Sequence, residues 1–282
     1  MSASLPIVLS VASGKGGVGK TNISINLALC LERLGHRCVI LDADLGLANI
    51  DVMLGLTPER NLFHVFHEGM SLSDILYPTD YGFSILPASS GVSEMLSLST
   101  GQKLELLEAM DVLEDRIDFL IVDTGAGIND NVLYFNLAAQ ERLLVLTPEP
   151  TSLTDAYALI KVLKVRHGME RFHVLVNMAR SERAAKDIFA KLHNACDHFL
   201  GGVSLNLVGS IPLDPNVRQA VIRQRPFCDL FPDSDACRAV DAVARKLSRW
   251  KPGTTIIMGE PSVGSEAAAW AMPRWRASSW LA

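Results

Sequence analysis

The chain is poor in the residues and patterns that mark several specialised classes of protein. Its five cysteines are odd in number and include no Cys-x-x-Cys pair, so neither a disulfide framework nor a zinc ribbon is indicated. No apolar run reaches the roughly 18 residues of a membrane-spanning helix, and the first residues lack the regions of a signal peptide. We therefore expect a cytoplasmic protein whose cysteines are small apolar fillers or inert surface thiols.

Basic residues do not predominate either, since 26 lysines and arginines face 31 aspartates and glutamates, a formal net charge of −5. A chain with this balance has no broad positive potential, so nucleic acid is not the first partner to consider. A local basic patch is still compatible with the sequence. With 49% hydrophobic and 20% charged residues, the composition excludes a disordered, collagen-like or coiled-coil chain. The length of 282 residues favours one large domain followed by a tail.

Short apolar runs alternate with segments of helical period along most of the chain. Several runs are rich in Val, Ile and Leu without polar alternation, which is typical of strands buried on both faces of a parallel sheet. The alternation predicts a doubly wound α/β fold: a mostly parallel sheet with helices on both faces and ligands at the carboxyl ends of the strands. The predicted strands are 7–12, 38–42, 83–86, 119–123, 143–147, 173–177 and 207–211, and the predicted helices are 21–34, 102–116, 151–166, 181–199 and 233–250.

The composition changes near Trp250, because all four tryptophans lie between positions 250 and 280 and several prolines and glycines follow. Prolines interrupt any long helix there. We therefore divide the chain into a domain of residues 1–251 and a tail of residues 252–282. Within the tail, a group of arginines and tryptophans loosely suggests a segment at a membrane surface, and a tail without order is an equal alternative. The group consists of Arg274, Trp275, Arg276 and Trp280. The apolar stripe before it is predicted to face the core, and consists of Val240, Val243, Leu247 and Trp250.

A Gly-rich segment between the first predicted strand and the first predicted helix matches the phosphate-loop pattern G-x-x-x-x-G-K-[ST]. Its glycines let successive backbone N–H groups and the helix N-terminus face an anion, which suits a triphosphate. Lys20 would bind the β and γ phosphates, and the Thr21 hydroxyl would ligate Mg²⁺. A plain Gly-rich turn is the alternative, but the flanking strand and helix favour the phosphate loop. The pattern consists of Gly14, Lys15, Gly16, Gly17, Val18, Gly19, Lys20 and Thr21.

Two aspartate segments follow predicted strands and would reach the same edge of the sheet. Asp42 and Asp44 end the second strand, where a carboxylate can hold Mg²⁺ through water or position the attacking water. Asp123 ends an apolar strand in the Walker B arrangement and would ligate Mg²⁺ through water. The Gly127 amide in the next turn would sense the γ phosphate, so this turn would act as a nucleotide switch. For Asp42 and Asp44, an Asp-rich turn that caps a helix is the alternative.

The sequence K-G-G-V-G-K-T, with a lysine at the second position of the loop, resembles the deviant Walker A motif of the MinD/ParA ATPases. The resemblance covers about residues 5–250 and implies a slow, partner-stimulated ATP hydrolase that forms a homodimer on ATP. In this class the early lysine, here Lys15, reaches the partner's nucleotide, where it would neutralise charge on the transferring phosphoryl group. The resemblance also implies that Asp44 positions the attacking water and that Asp42 lies in the outer shell of the metal. A solvated charge is the alternative for Lys15.

The resemblance extends to further nucleotide contacts. Asn22 belongs to the matching loop segment, and Asn177, Pro212 and Asp214 follow strands as in the adenine pocket of the class. An asparagine can donate and accept hydrogen bonds along a base edge. For Asn177 and Pro212, turn residues selected by their backbone conformations are an equal alternative.

Four segments resemble one group within the class, the FlhG (FleN) flagellar number regulators: residues 13–22, 45–51, 123–128 and 208–234. This implies an ATP-dependent dimer that limits flagellar number and placement. Its partners in the group are the flagellar transcriptional activator, a GTPase of the FlhF type, switch-ring components and the membrane surface. The group often uses an N-terminal extension to stimulate the GTPase, whereas the first predicted strand begins here at residue 7, so that stimulation is not expected.

Other functions are known on this scaffold. Iron–sulfur ATPases and nitrogenase-type reductases hold a cluster with cysteine pairs, which this chain lacks, and anion-pump ATPases commonly carry two phosphate loops where this chain has one. The alternative that stays open is a ParA-like partitioning ATPase that binds DNA non-specifically. Arg218, Arg223 and Arg225 belong either to such a basic patch or to a solvated helix face.

Overall fold

The computed structural model describes residues 5–45, 48–88 and 98–251, so the predicted tail of residues 252–282 lies outside the described residues. The strands are β1 (Ile7–Ser13), β2 (Cys38–Ala43), β3 (Tyr77–Pro78), β4 (Ser84–Leu86), β5 (Phe119–Ala126), β6 (Glu141–Leu146), β7 (Arg171–Ala179) and β8 (Ser204–Pro212). They form one eight-stranded sheet in the order β3-β4-β2-β5-β1-β6-β7-β8. Every pairing is parallel except that between β3 and β4 at one edge. The predicted fold class is confirmed.

Helices cover both faces of this sheet. They are α1 (Lys20–Arg33), α2 (Ile50–Leu54), α3 (Leu62–Glu68), α4 (Leu72–Ile75), α5 (Thr100–Ala109), α6 (Asp130–Ala138), α7 (Pro150–His167), α8 (Glu182–Phe199), α9 (Pro215–Ile222), α10 (Phe227–Leu230) and α11 (Asp235–Leu247). The helices α1, α9, α10 and α11 pack on one face, and the helices α3 to α8 pack on the other. Consecutive strand residues point to opposite faces, so Ile40 joins the first core and Leu41 the second. This double burial explains the unbroken apolar runs of the sequence.

The structure corrects three details of the predicted elements. The predicted helix 102–116 ends at Ala109 and continues as a 3-10 turn, Met110–Leu113, whose tighter hydrogen bonds bring the chain round into β5. The edge strand β3 and the helices α2, α3, α4, α6, α9 and α10 were not predicted. Of the two interpretations of the cysteines, small apolar fillers are confirmed and surface thiols are not, because all five cysteines are buried.

The stripe at the end of the domain is confirmed as a core face. Val240, Val243 and Leu247 are buried under the sheet. Trp250 is half-buried, and its ring lies against His173 with 4.3 Å between ring centroids. No helix in the described ranges is long and apolar enough to cross a membrane.

A buried polar network ties α6 to β1, the strand that leads into the phosphate loop, and to its neighbour β6. The Ser10 hydroxyl of β1 donates to Asn136 Oδ1 at 3.0 Å. The buried Arg142 guanidinium of β6 donates to the carbonyls of Asn136 at 2.9 Å and Ala139 at 2.7 Å. These carbonyls are left without intrahelical partners at a helix C-terminus, where a cation is favourable. The C-terminal end of α6 is therefore anchored to both β1 and β6.

Candidate nucleotide site

The phosphate loop joins β1 to α1 at the carboxyl edge of the sheet, where β1, β2 and β5 end side by side. Gly17 and Gly19 have φ values of +77° and +91°, a region of backbone conformation that glycine enters without steric cost. Gly19 is the N-cap of the 14-residue α1. The partial positive charge of the helix N-terminus therefore lies at the loop, as an anion site requires.

Lys20 is held inside the loop. Its side chain is buried, and Nζ donates to the Ser13 hydroxyl at 3.0 Å. That hydroxyl in turn donates to the Lys15 carbonyl at 2.7 Å, so the two ends of the loop are joined. Burial lowers the pKa of Lys20, and the negative charges of Asp123 and Asp44 oppose this effect. A buried ammonium with two carboxylates near it is placed to receive a more strongly charged phosphate.

Asp123 and Asp42 form a buried acidic pair beneath the loop. They are register partners on β5 and β2, and each is only 2% exposed. Burial raises the pKa of Asp42 to about 8, with a further contribution from the charge of Asp123. Burial also raises the pKa of Asp123 to about 6, against hydrogen bonds from the Thr21 and Ser24 hydroxyls; the Ser24 bond measures 2.9 Å. Two confined carboxylates and a threonine hydroxyl are oxygen donors of the kind that suits Mg²⁺.

The Lys15 side chain extends away from its own loop and lies on the first turn of α7. Its Nζ donates to the Thr151 hydroxyl at 2.9 Å and forms an ion pair with Glu149. The two charged side chains are 37% and 60% exposed, so this ion pair contributes about 0–1 kcal/mol. The ammonium is therefore available to another anion at little cost.

Switch-like contacts join the acidic segments to the loop. A Cβ on Gly125, the second residue after Asp123, would lie 3.2 Å from Asp44 Oδ1. The absence of a side chain at Gly125 therefore allows the Asp44 carboxylate to approach the end of β5. The Gly127 amide donates to the Ser13 carbonyl at 3.0 Å. Its predicted contact with a γ phosphate would need this bond to break.

The predicted adenine residues make structural bonds here. Asn177 is buried and donates from Nδ2 to the Val18 carbonyl at 2.8 Å, so it supports the phosphate loop from β7. Asp214 caps α9 by accepting from the Asn216 amide at 2.9 Å. Pro212 ends β8, and Asn22 lies half-buried in the first turn of α1. Their roles toward the base stay predictions.

Several residues of the site were missed by sequence reasoning. Ser13 and Ser24 flank the phosphate-loop pattern without belonging to it, and Glu149 and Thr151 contact Lys15 across more than 130 positions. The Pro-Glu-Pro-Thr segment after β6 was a usable signal, because it follows a strand at the same edge of the sheet.

Gly14 allows α7 to approach the loop more closely than any other residue would. A Cβ at this position would lie 2.1 Å from the Asp155 carbonyl oxygen of α7, a contact that backbone atoms cannot relieve by rotation. At Gly16, by contrast, the nearest atom to such a Cβ is 4.0 Å away. A side chain is therefore excluded by packing at Gly14 and not at Gly16, two positions further along.

We expect Gly14→Ala to lower the free energy of unfolding by about 1–3 kcal/mol, the usual cost of overpacking, and to weaken ATP binding. Gly16→Ala is the matched control and should leave the stability of the nucleotide-free chain within about 0.5 kcal/mol of the parent. Urea unfolding and nucleotide titration measure both effects. Equal stability of the two variants would contradict the close approach of α7.

A phosphate loop on a doubly wound sheet, with an aspartate at the end of the adjacent strand, defines a P-loop NTPase. The chain belongs to the ParA family of P-loop NTPases, whose family model, described as "NUBPL iron-transfer P-loop NTPase", matches residues 5–248. The iron-transfer part of that description lacks support here, since the sequence contains no Cys-x-x-Cys pair.

Individual relatives agree with this family. The antiactivator FleN of Pseudomonas aeruginosa is 52% identical over 243 residues, which cover 86% of each chain. The flagellum site-determining protein YlxH of Helicobacter pylori is 28% identical over 239 residues, 85% of this chain and 81% of its own. The structure of the septum site-determining protein MinD of Pyrococcus horikoshii, complexed with Mg-ADP, has a TM-score of 0.72 at 27% identity and covers 87% of this chain and 97% of that one.

These comparisons confirm the sequence-based assignment to the MinD/ParA ATPases and, within them, to the flagellar number regulators. The protein is a nucleotide-binding ATPase. The roles of individual site residues, the metal and the partners are matters of proposal.

Proposed function

We propose that this chain limits flagellar number as an ATP-dependent homodimer whose subunits separate after hydrolysis. The observation that carries the dimer is the position of Lys15: its ammonium lies on the surface of α7 and not in its own phosphate loop. In that place the ammonium is bound by Glu149 and Thr151, whereas Ser13 holds Lys20 inside the loop. The Lys15 ammonium is well placed to reach a triphosphate held by a second copy.

The residues of one subunit divide the remaining work. Lys20 and the loop amides bind the phosphates, and Asp44 orients the attacking water from the segment after β2. Thr21 and Asp123 would hold Mg²⁺, which supplies charge neutralisation on the phosphates. Within the described part of the chain, no group of three or more His, Cys, Asp and Glu residues could hold a metal ion. Mg²⁺ commonly binds to one or two protein groups together with the phosphates of a nucleotide, and Thr21 with Asp123 fits that pattern.

The output of the cycle is the nucleotide state itself. The ATP-bound dimer presents a surface to its partners, and hydrolysis removes it. The name of the P. aeruginosa relative, an antiactivator, supports the flagellar transcriptional activator as a partner. A GTPase of the FlhF type, switch-ring components and the inner membrane surface are further candidates, the last through the tail.

Counting flagella by electron microscopy in a strain that lacks the gene tests this function. Extra filaments are expected, and complementation with the parent chain should restore the normal count whereas a Lys20→Ala variant should not. An unchanged count in the deletion strain would rule the function out.

The partitioning alternative receives less support. Arg225 forms an ion pair with Asp229 at 2.5 Å, and Arg223 lies over the Phe231 ring at 5.9 Å. Two of the three arginines of the candidate basic patch are thus engaged within the chain. ATP-dependent, salt-sensitive binding of non-cognate DNA would restore this alternative.

A further inference from the structure

The Asp42 carboxylate is bound by backbone amides of the segment that follows it. Oδ1 accepts the Asp44 N–H at 3.2 Å, and Oδ2 accepts the N–H groups of Asn49 at 3.0 Å and Ile50 at 3.2 Å. A carboxylate oxygen has two lone pairs, so Oδ2 is filled and Oδ1 keeps one. One acceptor position is therefore left for the metal-bound water that the family resemblance assigned to this residue, and three are used by the backbone.

These three bonds hold both ends of one segment. Asp44 is the proposed water-positioning residue, and Ile50 is the first residue of α2. We propose that Asp42 is a positioning residue: it fixes the Asp44 backbone beside the phosphate loop and fastens the start of α2 to the end of β2. The positioning of the backbone by Asp42 is independent of the proposed function. Only the expected effect on ATP hydrolysis rests on that function.

An independent bond fastens α2 at its middle residue, Val52. The Val52 carbonyl accepts a hydrogen bond from Gln224 Nε2 at 2.6 Å, and Gln224 itself has an unusual φ of +52° in the turn after α9. Loss of the Asp42 bonds should therefore free the start of α2 without releasing the helix from the domain. A local effect of this kind can be measured at individual amides.

Hydrogen exchange in the full-length chain without nucleotide or metal tests the arrangement directly. The Asp44, Asn49 and Ile50 amides of the parent chain should be protected. In Asp42→Asn at least one of them should exchange about ten-fold faster or more, because the side-chain amide presents an NH₂ group where the carboxylate had its second acceptor oxygen. Unprotected Asn49 and Ile50 amides in the parent would overturn the proposal, even if the variant failed to fold. This readout does not depend on ATPase activity, so it separates failure of the proposal from failure of the proposed function.

A second readout distinguishes positioning from metal binding. With a non-hydrolysable ATP analogue bound, Asp42→Asn should keep its Mg²⁺ affinity within about two-fold of the parent, whereas Asp123→Asn should lose about ten-fold or more. In steady-state kinetics Asp42→Asn should lower kcat for ATP hydrolysis and leave KM unchanged. An Mg²⁺ affinity reduced as far as in Asp123→Asn, with normal amide exchange, would return Asp42 to the metal shell.

Discussion

Asp44→Ala is expected to reduce ATP hydrolysis by about 10²–10⁴-fold while ATP binding and the ATP-bound dimer persist. The Asp44 carboxylate lies beside the end of β5, against Gly125, and its charge acts on both Lys20 and Asp123. Lys20 is held in the phosphate loop by the Ser13 hydroxyl, and the Asp44 carboxylate acts on it through charge. Removing the Asp44 carboxylate should therefore affect the position of the attacking water and not the affinity for nucleotide.

Three measurements on the same samples check this expectation. Nucleotide titration should give an ATP affinity within about three-fold of the parent, and a steady-state assay should show the loss of hydrolysis. Light scattering should show a dimer that no longer dissociates with time after ATP is added. Glu59→Ala, which removes an exposed carboxylate after α2, is the matched control and should behave as the parent. A variant that hydrolyses ATP at the parental rate would exclude Asp44 from the chemistry.

The local parts of the fold were readable from the sequence because they depend on neighbouring residues. Buried parallel strands need apolar residues on both faces, and all seven predicted strands recur with ends shifted by a few positions. The phosphate loop was equally clear, since its glycines and Lys20 are fixed by backbone geometry over eight consecutive residues. The short helices α3 and α4 were missed although Asn61-x-x-His64 and Ser71-x-x-Asp74 form capping boxes at their starts.

The contacts that give the site its properties were not readable in this way. Lys15 meets Glu149, and Gly14 meets Asp155, only because α7 docks across the end of β1. The amide bonds of Asp42 depend on how the chain turns between β2 and α2, a geometry that a carboxylate at a strand end does not specify. The motifs therefore predicted which residues lie at the nucleotide site, whereas tertiary packing determines which bonds each residue makes.

Lys15→Ala is expected to weaken the ATP-bound dimer by about 10²-fold or more and to abolish hydrolysis, with ATP affinity reduced by no more than about three-fold. The reason is geometric: the ammonium lies on Glu149 and Thr151 of α7, outside its own loop. Lys161→Ala, which removes an exposed lysine further along α7, is the matched control and should dimerise as the parent. Lys20→Ala should instead lose nucleotide binding itself.

Mixing two inactive variants shows whether the lysine acts across the dimer. In a dimer of one Lys15→Ala subunit and one Asp44→Ala subunit, the first subunit keeps its own Asp44 and receives Lys15 from its partner. One complete site is then assembled, so hydrolysis should reappear on mixing, in proportion to the mixed dimers formed. A lysine that acts within its own subunit leaves both sites incomplete, and the mixture would stay as inactive as its components.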